Sequence, residues 1–303
     1  MQDLLTFGAE VAQARADGVP IVALESTIIT HGMPYPQNLE TARLVEDEIR
    51  ADRAVPATIA VMDGRIRVGL DAAELDRLAQ ARDVWKLSRA DLAVALSENV
   101  TGATTVAATM ICAHLAEIEV FATGGIGGVH RGAAQSFDIS ADLRELSLTP
   151  VTVVAAGAKA ILDLPKTLEV LETLGVPVIA FQHDAFPAFW SRDSGLAAPV
   201  RLDTPDAIAA AHRQRQRLGL TGGQLVANPI READEIPRAA LEPMIETALG
   251  MAQQAGITGK AVTPFLLQKL FEASHGQSLT ANISLVRNNA QLAARIAQSL
   301  SRM

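Results

Sequence analysis

The chain has 303 residues, of which 49% are hydrophobic, 20% charged and 4% aromatic. It contains 26 Lys and Arg residues and 34 Asp and Glu residues, which gives a net charge of -8. An acidic chain without a basic run is a poor candidate for binding nucleic acid, because such binding rests largely on phosphate neutralisation. No run of 18 apolar residues is present to span a membrane. Small molecules are therefore the expected ligands.

The cysteine content and the first residues indicate the compartment. One cysteine, Cys112, lies in the apolar stretch TTVAATMICAHLAEI, so no disulfide can form within the chain, and we expect a buried core residue. The first residues lack the basic region and the continuous apolar run of a signal peptide. We expect a cytoplasmic protein.

The first quarter of the chain predicts a strand, a loop, a helix and a hairpin. The run VPIVAL (19–24) has the composition of a buried strand, and the loop ESTIITHGMPYPQN follows it. Asn38 is the predicted N-cap of the helix LETARLVEDEIRAD. Asp63-Gly64 lies between two alternating runs, which predicts a tight antiparallel hairpin.

The remaining predicted elements alternate between helices and strands. They are, in order, a buried helix (104–118), the strands EVFAT and VTVVAA, a helix (164–174), the strand VPVIAF, a helix from Thr204-Pro205 to Gly219, and a helix (238–255). Strands separated by helices favour right-handed parallel crossovers. We therefore predict an α/β fold, a three-layer αβα sandwich with a mixed, mainly parallel central sheet, as a single domain over residues 1–303.

Four segments assigned to the ends of strands are polar or rich in glycine. They are Glu25-Ser26-Thr27, Thr123-Gly124-Gly125, the SFDISADL stretch (136–143) and Gly157-Ala158-Lys159. Open α/β sheets bind ligands at the carboxyl ends of their strands. We predict that these four segments converge on one site.

Lys159 and Glu25 each follow a predicted buried strand. Burial disfavours the ammonium form of a lysine, and a neutral lysine is a nucleophile that can form a Schiff base. The alternative for Lys159 is contact with solvent or a pair with Asp163. A partly buried carboxylic acid such as Glu25 can act as a general acid, and its alternative is a cap or a partner for a lysine such as Lys86.

The glycine cluster TGGIGGVHRG (123–132) could bring backbone N–H groups close to a phosphate. It lacks the G-x-G-x-x-G order, because His130 occupies the position of the third glycine, and a tight turn without a ligand is the alternative. A P-loop is also absent, since Gly259-Lys260 is followed by alanine and has no glycine at the required upstream position.

Asp138 and Asp142 in the SFDISADL stretch could hold a hard divalent cation that keeps several waters, although two acids four residues apart are also common on ordinary surfaces. The six histidines show no H-E-x-x-H or similar spacing, which argues against a zinc site.

Ten segments together resemble the pseudouridine-5′-phosphate glycosidase family, also called indigoidine synthase A-like. They span residues 23 to 290, nearly the whole chain, and several exceed eight residues. They are ALESTIITHGMPYPQN, VWKLSRADL, GATTVAATM, FATGGIGGVHRGA, DISADL, AGAKAILDLPKTLE, FPAFWSRDSG, ANPI, GKAVTPFLL and SLTANISLVRNNA.

The resemblance implies a homotrimeric enzyme, with one Mn²⁺ per subunit, that reversibly converts pseudouridine 5′-phosphate into uracil and ribose 5-phosphate. By motif, Lys159 would be the nucleophile, Glu25 the proton donor and Asp138 the metal ligand. The implied substrate-binding residues are Lys86, Val106, Ser140, Ala141 and Asp142, with Thr123, His130 and Asn282 in motifs that the family places around the pocket. The chain departs from the family at His183-Asp184-Ala185, where Thr-Asp-Glu is common, and the pocket rim or a subunit contact could differ there.

A carbon–carbon glycosidic bond explains why a lysine would be needed, because no heteroatom can leave. The glycine cluster and the α/β pattern also leave two other functions open. A ribokinase-like sugar or nucleoside kinase would need a G-A-G-D motif near the C-terminus, which is missing. A non-catalytic sugar-phosphate-binding protein would not need Glu25, Asp138 and Lys159 together.

Overall fold

A computed structural model of the chain describes residues 4–257 and 262–303. These residues form a mixed, mostly parallel sheet of eleven strands with helices on both sides, as predicted. The strands are β1 (Leu5–Phe7), β2 (Ile21–Leu24), β3 (Val55–Met62), β4 (Arg65–Val68), β5 (Trp85–Leu87), β6 (Gly102–Thr104), β7 (Val120–Ala122), β8 (Thr152–Ala155), β9 (Val178–Phe181), β10 (Val200–Leu202) and β11 (Gln224–Ala227).

The helices vary from a single turn to seven turns. They are α1 (Ala9–Asp17), α2 (Thr27–Thr30), α3 (Gln37–Ala51), α4 (Ala72–Gln80), α5 (Arg89–Ser97), α6 (Val106–Leu115), α7 (Ala133–Ser136), α8 (Ala141–Leu148), α9 (Leu164–Thr173), α10 (Pro205–Arg217), α11 (Arg238–Gln254), α12 (Val262–Ala273) and α13 (Gln277–Ser301).

The order of the strands decides which loops meet. Seven strands pair in parallel in the order β10-β9-β11-β8-β7-β2-β3, and β3 then pairs antiparallel with both β4 and β6. The strands β8 and β9 are consecutive in the chain, but β11 lies between them. The neighbours β2, β7 and β8 end at the same edge of the sheet, where a ligand site is expected.

Several local predictions are confirmed. Asp63 and Gly64 connect β3 to β4 with φ values of 53° and 70°, which is the left-handed backbone of a tight hairpin turn. The Thr204 side chain accepts a hydrogen bond from the N–H group of Ala207 and caps α10. Cys112 is fully buried in α6, and burial raises the pKa of its thiol to about 12.

Other local predictions are wrong. Asn38 is not the N-cap of α3; it lies in the first turn of the helix, and its buried amide donates hydrogen bonds to the carbonyl oxygens of Ile29 and Ala79 at 2.8 and 2.9 Å. This buried amide therefore ties α3 to α2 and α4. The segment 138–140 does not follow a strand but lies between α7 and α8. The strands β1, β5, β6, β10 and β11 and the helices α4, α5, α8, α12 and α13 are among the elements that were not predicted.

No helix among residues 4–257 and 262–303 is long and apolar enough to cross a membrane. Gly259 and Lys260, considered above for a P-loop, lie outside the described residues.

Candidate active site

Three adjacent strands carry the side chains at the centre of the site. Glu25 directly follows β2 and Thr123 directly follows β7, while Lys159 lies four residues beyond β8. Backbone pairing continues past the ends of β7 and β8, because Ile126 accepts a hydrogen bond from the N–H group of Lys159 at 3.1 Å. The sheet edge therefore holds these three residues on a fixed backbone.

A cavity of about 390 Å³ lies at this edge. Ten of the eleven predicted site residues line it: Glu25, Lys86, Val106, His130, Asp138, Ser140, Ala141, Asp142, Lys159 and Asn282. The eleventh, Thr123, is 1% exposed and donates a hydrogen bond to Glu25. It lines a second, smaller cavity instead. Their roles as ligands of substrate or metal stay predictions, but the sequence motifs do converge on one cavity.

The Glu25 carboxylate has a hydroxyl partner on each oxygen. Thr27 donates a hydrogen bond to Oε2, and Thr123 donates one to Oε1. The role of Thr27 was missed in the sequence, although it stands two residues from Glu25. Two donors from different elements fix the direction of the carboxylate at the cavity wall.

Lys159 does not form the ion pair with Asp163 that was the alternative prediction. Asp163 contacts the ammonium group of Lys166 at 2.6 Å and accepts a hydrogen bond from the N–H group of the same residue at 3.2 Å, which caps α9. Lys159 is half-buried and its side chain lines the cavity instead.

Charged groups gather around His130. Burial lowers the pKa of His130, the Asp138 carboxylate opposes this, and the ammonium groups of Lys159 and Lys86 lower the pKa further. Burial also lowers the pKa of His31, again assisted by Lys86. The lowered pKa of both imidazoles favours their neutral forms, and among the described residues the side chains of Lys86 and Lys159 bring positive charge to the cavity. This arrangement suits an anionic ligand.

The two acids of the SFDISADL stretch have different surroundings. The buried Asp142 carboxylate accepts hydrogen bonds from the N–H groups of Ala107 at 3.0 Å and Gly127 at 2.8 Å. Within the described residues, no hydrogen bond or ion pair to a protein group engages the half-buried Asp138 carboxylate. Of these two carboxylates, that of Asp138 is the one available to a cation.

A fully proteinaceous metal site is absent from the part of the chain that the structure describes, since no three His, Cys, Asp or Glu side chains cluster. One free carboxylate beside a polar cavity fits a divalent ion that keeps most of its waters, which is how Mg²⁺-like ions commonly bind.

The glycine cluster is mainly a packed turn. The N–H groups of Ile126, Gly127, Val129 and His130 all donate to protein acceptors, so they are not available to a phosphate. A side chain at Gly127 would collide with Ser140, so the close approach of these two segments requires glycine. For residues 126–130 the alternative interpretation, a tight turn without a ligand, is the better one.

Two helix N-termini provide other donors. Thr105 caps α6, and Ser140 caps α8, with side-chain oxygens that accept from Ala108 and Asp142. The first N–H groups of a helix have no partner within the helix and carry partial positive charge. Val106 and Ala141 stand at these first positions and both line the cavity.

The far wall comes from α12, α13 and the segment FPAFW (186–190). Phe189 lies so close to Gly125 that a β-carbon there would be 2.7 Å from its ring. The adjacent Trp190 donates a hydrogen bond from Nε1 to Oδ1 of Asn282 at 2.7 Å. Phe189 was missed as a cavity residue.

The residues that depart from the family pattern, His183, Asp184 and Ala185, do not line this cavity. Asp184 forms an exposed ion pair with Arg201. The substitution of these three residues is therefore not expected to change the cavity wall. Its effect on a contact between subunits stays a prediction.

The family model described as indigoidine synthase A like protein matches residues 10–299. A pseudouridine-5′-phosphate glycosidase of Paracoccus denitrificans is 69% identical over 303 residues, covering 99% of this chain and 100% of that protein. Another of the same name, from Jannaschia sp., is 68% identical over 98% of each chain.

Two solved structures share the fold. The prealnumycin C-glycosynthase AlnA, determined in complex with ribulose 5-phosphate, has a TM-score of 0.91 and 40% identity, over 99% of this chain and 97% of that one. An indigoidine synthase A-like protein from Thermotoga maritima has a TM-score of 0.89 and 33% identity over the same shares. This chain thus belongs to the indigoidine synthase A-like family.

Proposed function

We propose that the protein is an enzyme that reversibly cleaves the carbon–carbon glycosidic bond of pseudouridine 5′-phosphate, giving uracil and ribose 5-phosphate. The observation that carries the proposal is that Lys159 and Glu25 line one cavity, from the ends of β8 and β2 on either side of β7. The names of relatives at 67 to 69% identity support the substrate, and the sugar phosphate in the AlnA complex is of the same class as ribose 5-phosphate.

The proposed mechanism begins with the opening of the ribose ring. Glu25 donates a proton to the ring oxygen as the bond from that oxygen to C1′ breaks, and the electron-deficient C1′ stays conjugated with the base. The ammonium group of Lys159 first releases a proton to water, the resulting neutral amine adds to C1′, and the new ammonium centre gives one proton to the Glu25 carboxylate. The two hydroxyl groups on Glu25 hold its carboxylate in place for the proton transfer.

Cleavage follows from the amine adduct. Glu25, which took up the proton from the amine adduct, donates it to C5 of the base; the C5–C1′ bond then breaks, and its electron pair restores the C5–C6 double bond of uracil. The nitrogen lone pair of Lys159 forms the iminium at C1′ at the same time. Water then adds to C1′, and the amine leaves as ribose 5-phosphate forms.

The phosphate is assigned to the N-termini of α6 and α8. Val106 and Ala141 offer backbone N–H groups there, and Lys86 adds a cationic side chain in the same cavity. Helix N-termini bind phosphate through such N–H groups and through the helix dipole. Asp142 supports this subsite indirectly, because its carboxylate joins α8 to Ala107 of α6.

We also propose that Asp138 holds one Mn²⁺ per subunit, whose positive charge would favour phosphate or water oxygens in the cavity. The half-buried carboxylate without a protein partner supports this assignment. Manganese binding can be followed by electron paramagnetic resonance without turnover. Asp138→Asn should weaken it at least tenfold, whereas Asp184→Asn, on the exposed Arg201 pair, should not; equal affinity in Asp138→Asn would contradict the assignment.

Borohydride trapping tests the lysine. Incubation with ribose 5-phosphate and borohydride should leave a reduced adduct on the peptide that contains Lys159, and Lys159→Ala should abolish both adduct and turnover. Lys166→Ala is the matched control, since this exposed lysine pairs with Asp163 and does not line the cavity. An adduct on another lysine, or none in an active enzyme, would refute the mechanism, and phosphate transfer from ATP would favour a kinase.

The resemblance alone supports a homotrimer in the cytoplasm. Light scattering should give three times the mass of the chain, and a monomer or dimer would contradict this part of the proposal.

A further inference from the structure

The side chain of Asn282 is oriented by one neighbour. Asn282 lies in the first two turns of α13 and lines the cavity, and its Oδ1 accepts the hydrogen bond from Nε1 of Trp190 at 2.7 Å. Trp190 is 1% exposed. No other described residue forms a hydrogen bond with this amide.

The chemistry of the pair decides which end of the amide reaches a ligand. The two ends of an asparagine amide have the same shape but opposite roles, one an acceptor and the other a donor. An indole N–H group can only donate, so Asn282 must turn its carbonyl oxygen to Trp190. Its NH₂ group is then left for the cavity, and the site offers a donor and no acceptor at this position.

The surroundings of Asn282 suit a flat, mostly apolar ligand group. Val286 lies one turn further along α13, and a β-carbon at Gly124 would be 3.2 Å from it. Phe189 lies over Gly125 and contacts the Trp190 ring at a centroid distance of 5.0 Å. The charged groups, in contrast, gather around His130. The wall that holds Asn282 is therefore the part of the cavity suited to a pyrimidine ring.

We infer that Trp190 sets the base specificity of the enzyme, by holding Asn282 so that its NH₂ group donates to a ring carbonyl oxygen of the base. The inference rests on the proposed function. Uracil carries carbonyl groups at C2 and C4, whereas isocytosine has an amino group at C2 and cytosine has one at C4. An amino group opposite the Asn282 NH₂ group leaves two buried donors without acceptors, which a site of this kind rejects strongly.

Inhibition by free bases tests the inference without requiring the base to react. Inhibition constants of uracil, isocytosine and cytosine are measured against cleavage of pseudouridine 5′-phosphate. Wild type should bind uracil about a hundredfold more tightly than one of the two amino bases. Trp190→Phe keeps an aromatic ring but lacks the N–H group, so the amide can rotate and the preference should fall at least tenfold. Trp85→Phe, the same change at the exposed tryptophan, should leave it unchanged.

A second variant serves if Trp190→Phe fails to fold. Asn282→Asp keeps an oxygen for the Trp190 N–H group and turns the other oxygen to the cavity, so the same amino base should now be preferred over uracil. An unchanged preference in a folded Trp190→Phe, or in Asn282→Asp, would overturn the inference while leaving the lysine chemistry intact. Absence of cleavage by wild type would instead overturn the proposed function, and the inference with it.

Discussion

The hydroxyl group of Thr123 donates a hydrogen bond to the carboxylate of Glu25 and so joins the ends of two adjacent strands, β7 and β2. Thr123 is 1% exposed and does not line the main cavity. The resemblance placed Thr123 around the pocket, and its observed contact is with the proposed acid. A positioning role through Glu25 is therefore the simplest interpretation.

Replacement of Thr123 by valine tests this role, since valine keeps the shape and removes the hydroxyl group. We expect kcat to fall about tenfold or more with KM within about twofold, because the carboxylate loses an orienting donor while the cavity wall is unchanged. Thr123→Ser retains the hydroxyl group and should keep most of the activity. A rise in KM with kcat unchanged would point to direct substrate contact instead.

Asp138 and Asp142 should separate into two roles. Asp142→Asn keeps one acceptor oxygen but turns an NH₂ group toward the N–H group of either Ala107 or Gly127 in a buried site, and we expect a loss of about 2 kcal/mol in the free energy of unfolding. Asp138→Asn should stay within about 0.5 kcal/mol of wild type, because no protein donor engages that carboxylate. Urea unfolding measures both, and equal losses would contradict the separation.

This contrast shows where sequence reasoning reaches its limit. Strands, the Asp63-Gly64 hairpin and the polar strand ends follow local patterns of hydrophobicity and turn residues, which the sequence displays directly. Which of two acids four residues apart is buried depends on the approach of α6 and the glycine turn, and these are tertiary contacts. The same holds for Thr123, whose partner Glu25 is 98 residues away in the chain and becomes visible only once β2 and β7 are known to be neighbours.

The missed elements have similar causes. The helix α13 runs from Gln277 to Ser301, and its first half mixes Ser, Thr and Asn with apolar residues, so helix propensity alone is weak there. It is stabilised by packing against α3, α10 and the sheet. The three-residue strands β5 and β6 are too short to show an alternating pattern.

Asn289 on α13 forms hydrogen bonds with the backbone at the start of the glycine cluster (123–132). Its fully buried amide donates hydrogen bonds to the carbonyl oxygens of Thr123 and Gly124 at 2.8 and 3.4 Å and accepts one from Asn228 at 3.1 Å. Asn289→Ala should cost about 3 kcal/mol in unfolding free energy, because it leaves buried polar groups unpaired and opens a cavity.

The neighbouring Asn288 provides the matched control for this change. It is only half-buried and donates one hydrogen bond, to the carbonyl oxygen of Pro229 at 3.0 Å. Asn288→Ala should cost about 1 kcal/mol in the same urea titration. If the two variants lost equal stability, the buried network around Asn289 would not be a major support of the turn.

Two glutamates on α3 should give opposite pH dependence. Burial raises the pKa of Glu46 above its ordinary value of 4.5, against hydrogen bonds from Thr58 and Arg50. Burial also acts to raise the pKa of Glu48, but hydrogen bonds from Gln291 and Arg287 lower it overall. The folded state therefore favours the protonated form of Glu46 and the ionised form of Glu48.

The sign of each effect follows from proton linkage. Above pH 4.5 an unfolded chain ionises Glu46 more readily than the folded protein does, so wild type loses stability relative to Glu46→Gln as pH rises through the raised pKa. Glu48 stabilises the fold above pH 4.5, so the advantage of wild type over Glu48→Gln should shrink as pH falls through the lowered pKa. Urea titrations of the three proteins from about pH 3 to pH 8 measure these differences, and two curves with slopes of the same sign would show that one of the assigned shifts is wrong.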